Sequence, residues 1–378
     1  MENRTRLLIV LGSLALAVAL VFLLGGSTSV TVPLTPTAGS GGTSTPSPVG
    51  IPSPGTRSGA LKKTPSSPLA ATLEKLLILL QTGTATDSDL EALKRTLLAA
   101  DPALATTAIR EFLATGRDAR TGLDFALRPG GDLAAPTLRV LLMDVLGRIA
   151  KRDGTDAAAK LARETLDKKD SADEWAIALR NVAWHAPAST SYLATKAREM
   201  LAYAPWRAAP TGGMLEAFDV IVFTKDASFT ADLAGAQTDP NEQLRHAAEV
   251  ALDRLAAASP LDVMTYLNTH PATLAERPML RADYFAKGDL AVPGQKTALE
   301  YYLGRPDVAV AEKTKLLKAL ATPASFVSEN LLTAPPPEPD DASRERIILA
   351  ATREWLTGNR FPQLQSQLLS LQRRLARE

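Results

Sequence analysis

Apolar positions are spread along this 378-residue chain in three ways, and each way predicts a different kind of segment. From Leu7 to Leu24 they are continuous: LLIVLGSLALAVALVFLL carries no charge and only Gly12 and Ser13 interrupt it. As a helix this run spans about 27 Å, close to the hydrocarbon thickness of a bilayer. Arg4 and Arg6 precede it and the next charge is Arg57. The positive-inside rule then keeps residues 1–6 in the cytoplasm as a stub and carries the rest across, anchored by residues 7–24. A cleaved signal peptide is the competing reading. Its apolar region usually runs about 7–15 residues, whereas this one is longer, although Gly25-Gly26-Ser27 is small enough to be cut. Both readings place the body outside the cytoplasm: at the cell membrane, and periplasmic where the cell has two membranes.

In residues 25–68 apolar positions are sparse. Of these 44 residues, 33 are Pro, Gly, Ser or Thr, so the segment cannot bury enough surface to offset its ordering entropy and is expected to be a disordered tether.

From Leu69 onward apolar residues recur at helical spacing, as in Leu364, Leu368, Leu371 and Leu375, spaced 4-3-4. Val220-Ile221-Val222-Phe223 is the nearest thing to a strand and sits inside a helical pattern. Helix starts are marked by a capping oxygen before proline, at Asp101-Pro102, Asp239-Pro240, Ser259-Pro260 and Thr322-Pro323. Ser88-x-x-Glu91 has the form of a capping box. With breaks at Pro129-Gly130-Gly131, Asp153-Gly154, Ala186-Pro187, Gly212-Gly213 and Val292-Pro293-Gly294, the pattern predicts an all-α body of some 15 helices. Short connections favour antiparallel neighbours.

Asp239-Pro-Asn-Glu-Gln-Leu244-Arg245-His-Ala247-Ala248-Glu-Val-Ala251-Leu252-Asp-Arg-Leu255 resembles the second half of a HEAT repeat. Pro136-Thr-Leu138-Arg139 through Val145-Leu146-Gly147-Arg-Ile149 is similar, with Leu142 in place of an alanine, and Trp175 to Val182 is a weaker copy. The resemblance covers about 50 residues and implies an α-solenoid over residues 69–292, in which alanines let successive helix pairs approach closely. An irregular multi-helix array is the alternative. Residues 293–378 show no repeat and are expected to form a C-terminal lobe or cap.

Composition narrows the chemistry. The net charge of +1 splits into +1 for residues 1–24, +3 for the tether and −3 for the body, which argues against a nucleic-acid partner. There is no cysteine, hence no disulfide, thiolate nucleophile or Cys-based zinc site. His185, His246 and His270 are far apart in sequence, and none forms an HxxxH or HExxH pair. Gly288 to Thr297 has the wrong spacing for a phosphate loop and no preceding strand, so it reads as a turn before a helix. No catalytic residue, metal ligand or small-molecule cofactor site is indicated. A carboxylate pair assembled by folding would not show in the sequence.

Aromatic residues cluster in one stretch of the body. Trp175, Trp184 and Trp206, three of four tryptophans, lie within 32 residues together with His185, Tyr192 and Tyr203. They either fill the layer between helix pairs or form a candidate binding surface, since Trp and Tyr dominate interface hot spots. Tyr266, Tyr284, Phe285, Tyr301 and Tyr302 form a second such group. Pro335-Pro336-Pro337-Glu338-Pro339 reads as a rigid connector.

The expectation is therefore a membrane-anchored extracytoplasmic scaffold with a protein partner. The layout of anchor, spacer and helical body is also similar to the lipase-specific foldases, which implies a tethered steric chaperone. Their signature is Arg-x-x-Phe-Asp-Tyr, and Leu215-Glu-Ala-Phe218-Asp219-Val220 keeps its central Phe-Asp without the flanking Arg and Tyr. A helical hydrolase or lyase acting on an envelope polymer is the third reading and needs paired carboxylates in a cleft.

Overall fold

The computed structural model describes residues 67–129, 131–322, 330–334 and 340–376. The expected anchor at 7–24, almost all of the tether and the prolines at 335–339 lie outside the described residues. Those described belong to one compact unit that begins at Lys63. It is all-α save for one small hairpin, and among the described residues no helix is long and apolar enough to cross a membrane.

The first helices start where polar caps meet apolar runs. Ser67 accepts from the Ala70 amide and opens α1 (Pro68–Gln81), one residue before the expected boundary. Asp101 caps α3 (Pro102–Ala114) through the Leu104 amide, with Pro102 at the first position. Between them, α2 (Asp87–Ala99) has its capping box on Thr86 and Asp89, not on Ser88 and Glu91. The expected break at 129–131 falls between two strands, β1 (Ala126–Arg128) and β2 (Asp132–Ala134), which pair antiparallel with Leu127 opposite Leu133. At three residues each they are too short to show alternation.

The two most buried helices follow. Thr137 caps α4 (Leu138–Asp153), and α5 (Ala157–Leu166) leads to α6 (Ala172–His185), whose residues from Trp175 to Ala183 are all buried. Helices α4 and α6 run parallel: Asn181 donates to the Met143 carbonyl (3.0 Å), Arg180 to Asp144 (2.7 Å), and His185 Nε2 lies 3.3 Å from the Gly147 carbonyl. The approach requires Gly147, because a Cβ there would sit 2.2 Å from Asn181 Oδ1. Among the described residues that oxygen has no hydrogen-bond donor, and it faces Gly147 instead. Gly147→Ala should therefore cost about 1–3 kcal/mol by overpacking. Thermal unfolding would show it, and the cost should shrink in an Asn181→Ala background.

After α7 (Thr190–Ala202) and the short α8 (Ala204–Ala208), Gly212 and Gly213 do not break the chain but begin α9 (Gly212–Glu216). A Cβ on Gly213 would lie 2.7 Å from the Asp173 Cα, so glycine lets α9 sit against the start of α6. Ala217, at φ −67° and ψ −13°, links α9 to α10 (Phe218–Thr224), where Val220–Phe223 is helical as expected. Next come α11 (Phe229–Ala236) and α12 (Glu242–Ala258). Asn241 caps α12; Asp239 instead takes Arg207 at 2.6 Å and the Asn241 amide. Pro260 opens α13 (Pro260–Thr269), although the Ser259 side chain makes no cap bond.

The remainder comprises α14 (Pro278–Phe285), α15 (Pro293–Gly304), α16 (Val310–Leu320), α17 (Asp341–Thr357) and α18 (Gln365–Leu375). Helix α15 lies parallel to α13, with Leu261 beside Gly294 and Asn268 donating to the Ala298 carbonyl. Helix α16 lies parallel to α14 through Arg281–Glu312 and Asp283–Lys315. Leu364, Leu368, Leu371 and Leu375 are all buried, as the 4-3-4 spacing predicts.

Long-range charged pairs span separations from 28 residues for Arg198–Asp226 to 60 for Arg360–Glu300, and several fall between 31 and 36. Arg139–Glu174 are 35 residues apart, Asp144–Arg180 36, Arg207–Asp239 32, Asp219–Arg254 35, Asp253–Lys287 34 and Arg281–Glu312 31.

Candidate functional site

The aromatic group does not form one exposed surface. Trp175 is fully buried and its indole N–H donates to the Lys168 carbonyl. Trp206, also buried, meets it edge-on at 5.2 Å between ring centroids, and Tyr203 meets Trp206 at 4.9 Å. These rings pack between α6 and the α7–α8 corner. Trp184, His185, Tyr192 and Tyr203 are half-buried. Cations cover three of them: Arg180 and Lys151 lie over Trp184 (4.1 and 4.4 Å), Arg163 over Tyr192 (4.4 Å) and Lys169 over Tyr203 (5.2 Å). Burial holds His185 below the ordinary histidine range, against the pull of the Gly147 carbonyl. In the second group Tyr284, Phe285 and Tyr302 are core, Tyr266 stacks on His270, and Tyr301 is exposed.

A concavity of a different character lies between α9–α10 and α12. It holds about 320 Å³. Leu215, Phe218 and Val222 face Ala247, Val250 and Ala251 across an apolar floor, and Gln243 and His246 stand at the exposed lip. Glu216, Asp219 and Arg254 supply its formal charges, and Asn330 closes one side.

The two carboxylates differ. Asp219 is buried, and its bonding is filled by Arg254 (2.7 Å), the Thr333 hydroxyl (2.5 Å) and the amides of Leu332 (2.7 Å) and Thr333 (2.8 Å). Arg254 also donates to Asn330 (2.6 Å) and to Thr333, so both groups pin residues 330–333 onto the helices. Glu216 is half-buried and, among the described residues, takes part in no hydrogen bond or ion pair. Burial raises its pKa above the ordinary glutamate range; Asp219 adds to the rise and Arg254 opposes it.

A larger cleft of about 550 Å³ runs between the ends of α3, α4, α5 and α6. There Arg139 is bidentate on Glu174 (2.8 and 3.0 Å), while Arg110, Glu164, Lys168 and Asp170 line the same cleft without an ion pair among the described residues. Among the described residues no three His, Asp or Glu side chains are grouped to hold a metal.

Sequence reasoning reached Phe218 and Asp219 but not Glu216, Gln243 or Arg254. A signal was present: Glu216 and Asp219 are spaced i, i+3 in the otherwise apolar run Met214–Phe223, which puts two carboxylates on one face. No family model matches the chain, and neither the curated proteins nor the solved structures give a match.

Proposed function

We propose that this protein is a membrane-anchored extracytoplasmic scaffold whose helix pairs form a HEAT-like array and whose α9–α10/α12 groove seats another protein. The groove carries the reading. It is an apolar concavity between α9–α10 and α12, with a few convergent polar groups and one carboxylate that no described residue pairs with. The ion pairs with separations of 31–36 residues support the array, since each pair of helices would bury its apolar face only against the next. The uncharged run 7–24 and Arg4 and Arg6 before it support the anchor and its orientation. The tether would then set reach and local concentration. The chaperone reading gains no support from its own signature residues: Phe218 is 2% exposed and Asp219 holds the 330–333 segment.

Site-specific photocrosslinking in cells tests the seat. A benzophenone side chain in place of Gln243 should give one discrete adduct on irradiation, and the same group in place of Lys160 on α5 should give none. Equal labelling at both positions, or none at either, would overturn the assignment. A reporter fused after Gly59 should be active only outside the cytoplasm, and cytoplasmic activity would overturn the topology.

A further inference from the structure

The geometry points to a cationic side chain as the occupant: a lysine or arginine of the partner protein, carried on an apolar segment, with Glu216 as its counter-ion. This rests on the groove being the binding seat. The formal charges lining it are Glu216, Asp219 and Arg254, a balance of −1. Arg254 and Asp219 already bind each other and the 330–333 segment, which leaves the Glu216 carboxylate as the uncompensated charge.

The walls select further. Leu215, Phe218, Val222 and Val250 offer an apolar channel for the methylene stem of a lysine or arginine, whose head would reach the carboxylate. About 320 Å³ is at the small end of the volumes that bind ligands, enough for one long side chain and part of its neighbour rather than a whole helix. An anionic group would meet Glu216 with no cation left to receive it. A metal ion would find one available carboxylate, too few ligands for a hard cation.

The titratable and polar groups that line the groove with Glu216 are Asp219 and Arg254, which act on its carboxyl, and Gln243 and His246 at the exposed lip. A carboxyl whose pKa is raised by folding favours the folded state at low pH, and that contribution is lost as pH rises through the folded value. Glu216→Gln removes the penalty and should raise Tm at pH 8 while weakening the partner. A residue kept only for stability would show the opposite Tm change.

The direct test uses the full chain in phosphatidylcholine nanodiscs and three capped peptides, Ser-Leu-Gly-Xaa-Gly-Leu-Ser, with lysine, norleucine or glutamate at Xaa. Ligand-observed NMR should rank lysine about tenfold above norleucine, with glutamate unbound. In Glu216→Gln the lysine preference should vanish. Glutamate binding as well as lysine, or a preference untouched by Glu216→Gln, would overturn the inference. So would failure of the lysine peptide at millimolar concentration, and if the Gln243 crosslink persisted the seat would still stand. Loss of that crosslink would remove seat and occupant together.

Discussion

Asp144→Ala is expected to lower the stability of the helical body by about 3–5 kcal/mol, read as a fall in the urea midpoint. Asp144 is 0% exposed and Arg180 1%. Asp144 accepts from Arg180 at 2.7 Å and from Arg148 at 2.9 Å. Burial pushes the Arg180 guanidinium below the usual arginine range and Asp144 pushes back. Among the described residues the Arg180 Nε has no partner, so the compensation for this buried cation comes from Asp144 and the face of Trp184. Removing the carboxylate would leave the buried charge without its counter-ion. Arg180→Met in the same chain should recover much of the loss, because an apolar pair of similar volume carries no desolvation cost. A single variant that shifts stability by less than about 1 kcal/mol would mean that Arg180 finds solvent, contrary to its burial.

Why some of this was legible and some not follows from range. Leu364, Leu368, Leu371 and Leu375 declare themselves because a helix repeats every 3.6 residues and their burial depends on one face. Asp101 is a cap by local geometry alone. Ser88-x-x-Glu91 misleads for the same reason it attracts: Thr86-x-x-Asp89 fits the pattern two residues earlier, and the structure takes the earlier start. Asp239-Pro240 looks like a cap too, but Arg207, 32 residues upstream, takes the carboxylate and Asn241 caps instead. The groove shows the limit most clearly. Two acids on one face of Met214–Phe223 are visible in the sequence. That Arg254 pairs with Asp219, leaving Glu216 alone, depends on how α12 sits against α10. Trp175 and Trp206 were visible as a cluster, yet whether a cluster is surface or filling depends on what lies beyond it.

Asp219→Ala should produce the second large effect, and a localised one. The change removes the acceptor of the Leu332 and Thr333 amides and of the Thr333 hydroxyl, and it leaves Arg254 without its partner. The desolvated arginine and the orphaned donors together should cost about 3 kcal/mol. In hydrogen exchange, peptides spanning residues 330–334 should lose protection before those from α4 and α6 do, because Asp219 and Arg254 hold that segment by side-chain bonds. A second consequence bears on recognition. Arg254 opposes the rise in the Glu216 pKa, and once Asp219 is gone it is the cation available to that carboxylate. The lysine-peptide preference should therefore weaken in Asp219→Ala and return in Asp219→Ala/Arg254→Met, where Glu216 is again the uncompensated charge. If exchange at Leu332 and Thr333 stays at wild-type rates in the single variant, Asp219 does not clamp the segment. If the double variant stays as weak as the single one, Arg254 does not compete for Glu216.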